Sequence, residues 1–185
     1  VGGGLSMNPG KLLLFSLPLA VFLGLGYFFL QALDSDPSLL PSTRIDDQVP
    51  GFQLPTLADA GRMVSEAELR GPLLLNVWAT WCPSCQLEHP VLLELAKNGV
   101  PIVGLNYKDV RPAALKYLEI HGDPFQFNIY DEQGDLGLDL GVYGAPETYL
   151  IDDQGVIRYR HVGVVTPQNW REQLYPIWQS MGGKP

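Results

Sequence analysis

The sequence predicts an α/β domain built on one mixed β-sheet with helices on both faces, preceded by a single N-terminal transmembrane helix. Three observations predict it. An uncharged apolar run stands near the N-terminus. Strand-length apolar runs then alternate with stretches of helical period, which implies parallel strand pairing. Further on, two strand-like runs flank Asp152-Asp153-Gln154-Gly155, a hairpin turn that adds antiparallel strands.

The 185 residues suit one domain of ordinary size with an appendage. A formal charge of −8 argues against nucleic acid as a partner. That charge is segregated: residues 1–33 carry only Lys11, so 11 basic and 20 acidic residues, a net −9, fall beyond them.

Residues 1–11 are expected to be a cytoplasmic leader. From Leu12 to Leu33 run 22 residues without a charge, enough as a helix to cross a hydrocarbon core of ~30 Å. Pro18, Gly24 and Gly26 suit a membrane helix better than a soluble one. A cleaved signal peptide is the alternative, but its apolar region is shorter, and Leu30-Gln31-Ala32 lacks the small residue a cleavage site wants. Lys11 before the span and Asp34 and Asp36 after it place the following domain outside the cytoplasm. Residues 34–48, with Pro37 and Pro41 and little periodicity, read as a tether.

The folded domain is expected over residues 49–185. Val49 to Leu54 holds a first short strand, with a turn near Asp59-Ala60-Gly61. Ser65 is placed to cap a helical turn over Glu66 to Leu69. Leu73 to Ala79 reads as a strand covered on both faces. Pro83 suits a helix's first turn, and Leu87, Val91, Leu92 and Leu95 follow at helical spacing. Pro101 to Tyr107 is a second buried strand, Arg111 to His121 a helix ended by Gly122, and Phe125 to Tyr130 a third strand. Thr148 to Ile151 and Val156 to His161 form the hairpin. Trp170, Leu174, Ile177, Trp178 and Met181 share one face of a terminal helix, kinked at Pro176.

The chemistry gathers at Trp81-Cys82-Pro83-Ser84-Cys85, which holds both cysteines of the chain. A cysteine at a helix start meets unpaired N–H groups and the positive end of the helix dipole, which favour thiolate over thiol. Thiolate is the nucleophile of disulfide exchange, and a second cysteine two residues on can resolve a mixed disulfide. A static disulfide would close too short a loop to stabilise much. No second C-x-x-C or closely spaced histidine pair completes a zinc site, and no methionine cluster supports copper delivery.

Asn76 to Cys85, a buried strand running into W-C-x-x-C, resembles the thioredoxin fold, and Ala145-Pro146-Glu147-Thr148 matches its proline-bearing turn. A narrower resemblance joins Cys82 to His89, Gly141 to Thr148, Asn106-Tyr107-Lys108-Asp109 and the leading span. Together they are similar to the CcmG/DsbE family, thiol:disulfide interchange proteins of cytochrome c maturation. That resemblance implies a bacterial inner-membrane protein, single-pass through residues 12–33, whose domain lies in the periplasm and reduces disulfides. Its partners would be apocytochrome c or another maturation thiol protein, with a membrane thiol reductase as electron donor. It needs no cofactor beyond the Cys82–Cys85 pair. A general periplasmic oxidant and a non-redox apocytochrome or haem chaperone remain the alternatives.

The resemblance also implies a cis Ala145–Pro146 bond packed against Cys82, exposing the Ala145 backbone to a substrate peptide. Trp81, Pro83 and Tyr143 would join Ala145 in contacting substrate. The thioredoxin fold commonly carries a buried Asp where this chain has Asn76, which cannot take a proton at neutral pH. Glu88, three residues past Cys85 on one helical face, and Glu147, beside the turn proline, are the candidate replacements. Trp78 is expected in the core, and His89, ahead of the helix-bending Pro90, at a bend or on the surface.

Overall fold

The computed structural model describes residues 9–33 and 44–184. The chain divides into two units, residues 1–40 and 41–185. In the first, α1 (Pro9–Leu33) is a 25-residue helix with Pro18 inside it. Side chains are described for residues 17–29 of it, about half its length, and all are exposed. Among the described residues no helix is long and apolar enough to cross a membrane. Residues 1–8 of the expected leader and 34–43 of the expected tether lie outside the described residues.

The second unit begins on the sheet's edge sooner than the sequence led us to expect. Asp46 N–H donates to Ile157 O at 2.8 Å and Ile157 N–H to Asp47 O at 2.9 Å. Gln48 bridges Val156. These residues read as tether because their partners lie more than a hundred positions away.

β1 (Gln53–Pro55) and β2 (Met63–Ser65) pair antiparallel, and Ser65 with Glu68 closes a reciprocal cap over a 3₁₀ turn. β3 (Leu73–Trp78) is buried at every position. α2 (Pro83–Lys97), β4 (Ile102–Tyr107), α3 (Arg111–His121) and β5 (Asn128–Asp131) follow. Then come α4 (Asp135–Leu140), β6 (Glu147–Ile151) and β7 (Ile157–Val162). The five-stranded sheet has the order β5-β4-β3-β6-β7. β3, β4 and β5 pair in parallel, β6 runs antiparallel to β3 and β7 antiparallel to β6, so the mixed sheet is as expected. Gly155 closes the hairpin at φ +81°.

The sheet separates two cores. Leu92 and Leu95 of α2, Ala114 and Leu118 of α3, and Leu174 and Trp178 pack on one face with Leu74, Trp78 and both cysteines. On the other, Leu136 and Leu140 of α4 join Val64, Leu75, Val77, Val103 and Tyr149.

Several expectations need correcting. Leu87 is 71% exposed; the inward face of α2 is Cys85, Glu88, His89, Leu92 and Leu95. The helical period fits both phases, and docking the cysteines against the sheet selects the second. α4 was not expected: Leu136 and Leu140 are buried while Leu138 is exposed, the i, i+4 pattern of a single turn capped by the Asp131 carboxylate through Gly137 N–H at 2.8 Å. The terminal helix is broken into α5 (Pro167–Asn169), a π turn (Trp170–Leu174) and α6 (Tyr175–Ser180). The wide turn falls directly before Pro176, which has no N–H for an i−4 bond. His89 is buried, with Nε2 3.0 Å from Gly122 O, rather than at the surface.

Candidate active site

Cys82 and Cys85 form a disulfide at the start of α2. Cys82 is the helix N-cap, and Cys85 N–H donates to its Sγ at 3.1 Å. A backbone donor on sulfur stabilises negative charge there once the bond is reduced, and Pro83 fills the first helical turn without wasting a donor. Both cysteines are buried, yet Trp81 beside them is 53% exposed.

The Ala145–Pro146 bond is cis. Ser84, between the cysteines, lines a cleft of about 350 Å³ with Tyr143, Ala145, Pro146, Glu147, Val162 and Val164. Ala145 packs on the core cluster that contains both cysteines. Tyr143 stands 72% exposed at the rim.

Three buried carboxylates surround this centre, and their donors sort them. Asp109 accepts from Thr80 N–H and Thr80 Oγ1 at 2.6 Å each, from Val110 N–H at 2.8 Å and from Asn106 Nδ2 at 2.9 Å. It fixes the loop that leads into Trp81, whose indole N–H donates to Lys108 O at 2.9 Å. Glu147 accepts from Tyr143 N–H, from Tyr149 OH and from Arg160 through Nε and Nη2, all at 2.8–2.9 Å. Arg160 also donates to Gly141 O at 2.8 Å and lies 4.8 Å from the Tyr143 ring centroid. Four donors saturate each of these two carboxylates.

Glu88 differs. It is fully buried and accepts from only two groups, Asn76 Nδ2 and Val165 N–H, each at 2.8 Å. Burial pushes its carboxyl up to about 7, against the opposing pull of Val165 N–H and Asn76. A buried carboxyl that changes charge near neutral pH is suited to proton transfer.

The two glutamates expected together are parted by the sheet. Asn76 pairs with Thr148 and Val77 with Glu147, so Glu147 points to the opposite face from Asn76 and Glu88. Glu147 therefore braces the Gly141–Pro146 turn and has no route to Cys85 through the α2 face. Asp109 and Arg160 carry no role in the sequence reading. Asp109 left one signal, its place just past the carboxyl end of a parallel strand, where α/β sheets put their sites. Arg160 left none, because its partners lie 13 and 19 residues away across a strand pair.

Comparison with known proteins agrees with this geometry. The Redoxin family model matches residues 44–174. A thiol:disulfide interchange protein DsbE of Pseudomonas aeruginosa is 53% identical over 170 residues, covering 91% of this chain and 94% of that protein. The DsbE of Escherichia coli K12 is 45% identical, covering 88% and 92%. The chain belongs to the DsbE family of thiol:disulfide interchange proteins. A thio-disulfide isomerase from Thermus thermophilus shares its fold at TM-score 0.63 and 23% identity, covering 77% of this chain and all of that one. As a DsbE-family member with a C-x-x-C disulfide at a helix start, the chain is a thiol:disulfide oxidoreductase of the thioredoxin-like fold. Among the described residues no group of three or more His, Cys, Asp or Glu is placed to hold a metal ion.

Proposed function

We propose that this oxidoreductase works as a membrane-anchored periplasmic reductant of cytochrome c maturation, acting on the haem-attachment cysteines of apocytochrome c or on another maturation thiol. The observation that carries the exchange chemistry is the buried disulfide whose outer sulfur accepts the Cys85 N–H, opening beside the Ala145–Pro146 cleft. Reduced Cys82 attacks a substrate disulfide, its sulfur lone pair forming the new S–S bond while one substrate thiolate leaves. Glu88 takes the Cys85 proton. The Cys85 thiolate then attacks Cys82 Sγ, the mixed disulfide breaks, and the second substrate thiolate departs. The substrate gains two electrons and the Cys82–Cys85 pair loses them; a membrane thiol reductase restores the dithiol.

The cleft suits the docking role expected of Ala145 and Pro146, with Tyr143 exposed on its lining, and Trp81 is exposed beside Cys82. Pro83, exposed at the first turn of α2 beside Cys82, is placed for the substrate contact expected of it. Anchoring through residues 12–33 is supported by the 22-residue uncharged run. The periplasmic placement and the maturation route rest on the family resemblance.

The test is to mix the reduced Cys85→Ser chain with an oxidised peptide bearing the haem-attachment pattern C-x-x-C-H and with an unrelated disulfide peptide. A mixed disulfide at Cys82, formed faster with the C-x-x-C-H peptide, is expected. Equal trapping of both peptides, or a redox potential near the −120 mV of a strong oxidant, overturns the reductant reading.

A further inference from the structure

Asn76 occupies the position that closes the buried end of the site, and its two amide atoms are treated very differently. Nδ2 donates to Glu88 Oε1 at 2.8 Å and to Thr148 Oγ1 at 3.0 Å. Oδ1 is buried with no hydrogen-bond partner, one of few such atoms among the described residues. An orphaned amide oxygen in a fully buried side chain calls for a reason.

The reason lies in what Glu88 must do. Its Oε2 is held by Val165 N–H, a donor in any state. A proton arriving on Glu88 therefore settles on Oε1, which faces Nδ2. Two donors would then oppose each other 2.8 Å apart, leaving a buried O–H unsatisfied. Turning the amide over about χ2 changes no volume and brings Oδ1 to that position as an acceptor. Thr148 serves both arrangements, because a hydroxyl accepts from Nδ2 in one and donates to Oδ1 in the other. One amide atom is left over either way, so the reversal costs little in bond count.

We propose that Asn76 is the positioning residue of the proton step: its amide reverses as Glu88 is protonated, so that Nδ2 donates to the carboxylate and Oδ1 accepts from the acid. In that step the Cys85 S–H bond breaks, its electron pair stays on sulfur, and the O–H bond forms on Glu88 Oε1. The buried aspartate of an ordinary thioredoxin fold would set a second acid against Glu88; an amide matches both of its states. The inference rests on the reading of Glu88 as the acceptor of the Cys85 proton. Among the described residues the other titratable groups on this face include Cys82, Cys85 and His89 on or beside α2, His161 on β7, and the tyrosines Tyr117, Tyr130 and Tyr159; His89 is held by Gly122 O at 3.0 Å. His161 pairs in register with Thr148 and is committed to Val164 O at 3.2 Å. Glu147 on β6 points away.

The test is nuclear magnetic resonance on the full reduced chain in detergent micelles, following the Glu88 carboxyl carbon and the Asn76 side-chain amide across pH. Above the Glu88 midpoint, nuclear Overhauser contacts from the Asn76 amide protons to Thr148 and to the Val165 amide are expected. Below it they disappear with the same midpoint. Glu88→Gln, whose own N–H mimics the protonated acid, should show the low-pH pattern throughout. Contacts to Thr148 that persist on both sides of the midpoint overturn the reversal. As a second readout, Asn76→Leu should slow resolution of a mixed disulfide about tenfold both above and below the midpoint, whereas a simple donor would matter only above it. If Asn76→Leu does not fold, the wild-type spectra decide alone. A Glu88→Gln chain whose pH–rate profile is unchanged would remove the proton route through Glu88, an outcome separate from the fate of the amide.

Discussion

Replacing Glu88 by Gln should change how the stability of the domain depends on pH. The carboxyl is fully buried and burial raises it to about 7 from the 4.5 of an unperturbed glutamate. Because the folded-state value is raised, the favoured condition is the protonated one. Its contribution is intact below pH 4.5 and is lost as pH climbs through about 7. Each pH unit across that window removes about 1.4 kcal/mol, so the wild-type chain should lose about 3 kcal/mol relative to Glu88→Gln between pH 4.5 and pH 8. Burial of Asp131 and Asp123, which also raises their carboxyls, is common to both chains and cancels in the difference. The assay is urea unfolding of the oxidised chain in mild detergent, followed by tryptophan fluorescence at several pH values. Stability curves for the two chains that run parallel within about 0.5 kcal/mol, inside the scatter expected of surface changes, would refute the assignment of a buried titrating acid at this position.

The saturated carboxylates lead to different expectations. Arg160→Met strands the buried Glu147 charge and should cost about 3–5 kcal/mol; a double variant with Glu147→Gln should recover a good part of it, measured by thermal unfolding. Asp109→Ala releases Thr80 and Val110 N–H and should destabilise by about 2 kcal/mol. It should also shift the emission of Trp81 and slow reduction of a peptide disulfide, which stopped-flow fluorescence would register.

Much of this architecture can be read from the chain before any coordinates. Leu73 to Trp78 is an unbroken apolar strand, and unbroken apolar strands belong in the middle of a covered sheet; β3 sits there. Gly155 marked the hairpin because only a residue tolerant of positive φ turns the chain so tightly. The short α4 escaped because a six-residue helix offers one turn of pattern, and its cap, Asp131, precedes it by several residues. At the site, the i, i+3 spacing to Cys85 was enough to make Glu88 a candidate. Glu147 could not, because period two along a strand fixes that neighbours face opposite ways without saying which face the cysteines occupy.

The sequence by itself determined the exchange chemistry. Two cysteines at a strand-to-helix junction dictate a nucleophile, a resolving partner and a favourable dipole, all within five residues. What only the tertiary structure decided is which acid lies on the cysteines' face of the sheet. That choice depends on pairing β3 with β6 in one register, which sets Thr148 and not Glu147 beside Asn76. It depends equally on the phase of α2, which turns Glu88 inward and Leu87 out. Proton transfer is sensitive to ångströms and to dielectric, and both are properties of packing between segments far apart in the chain.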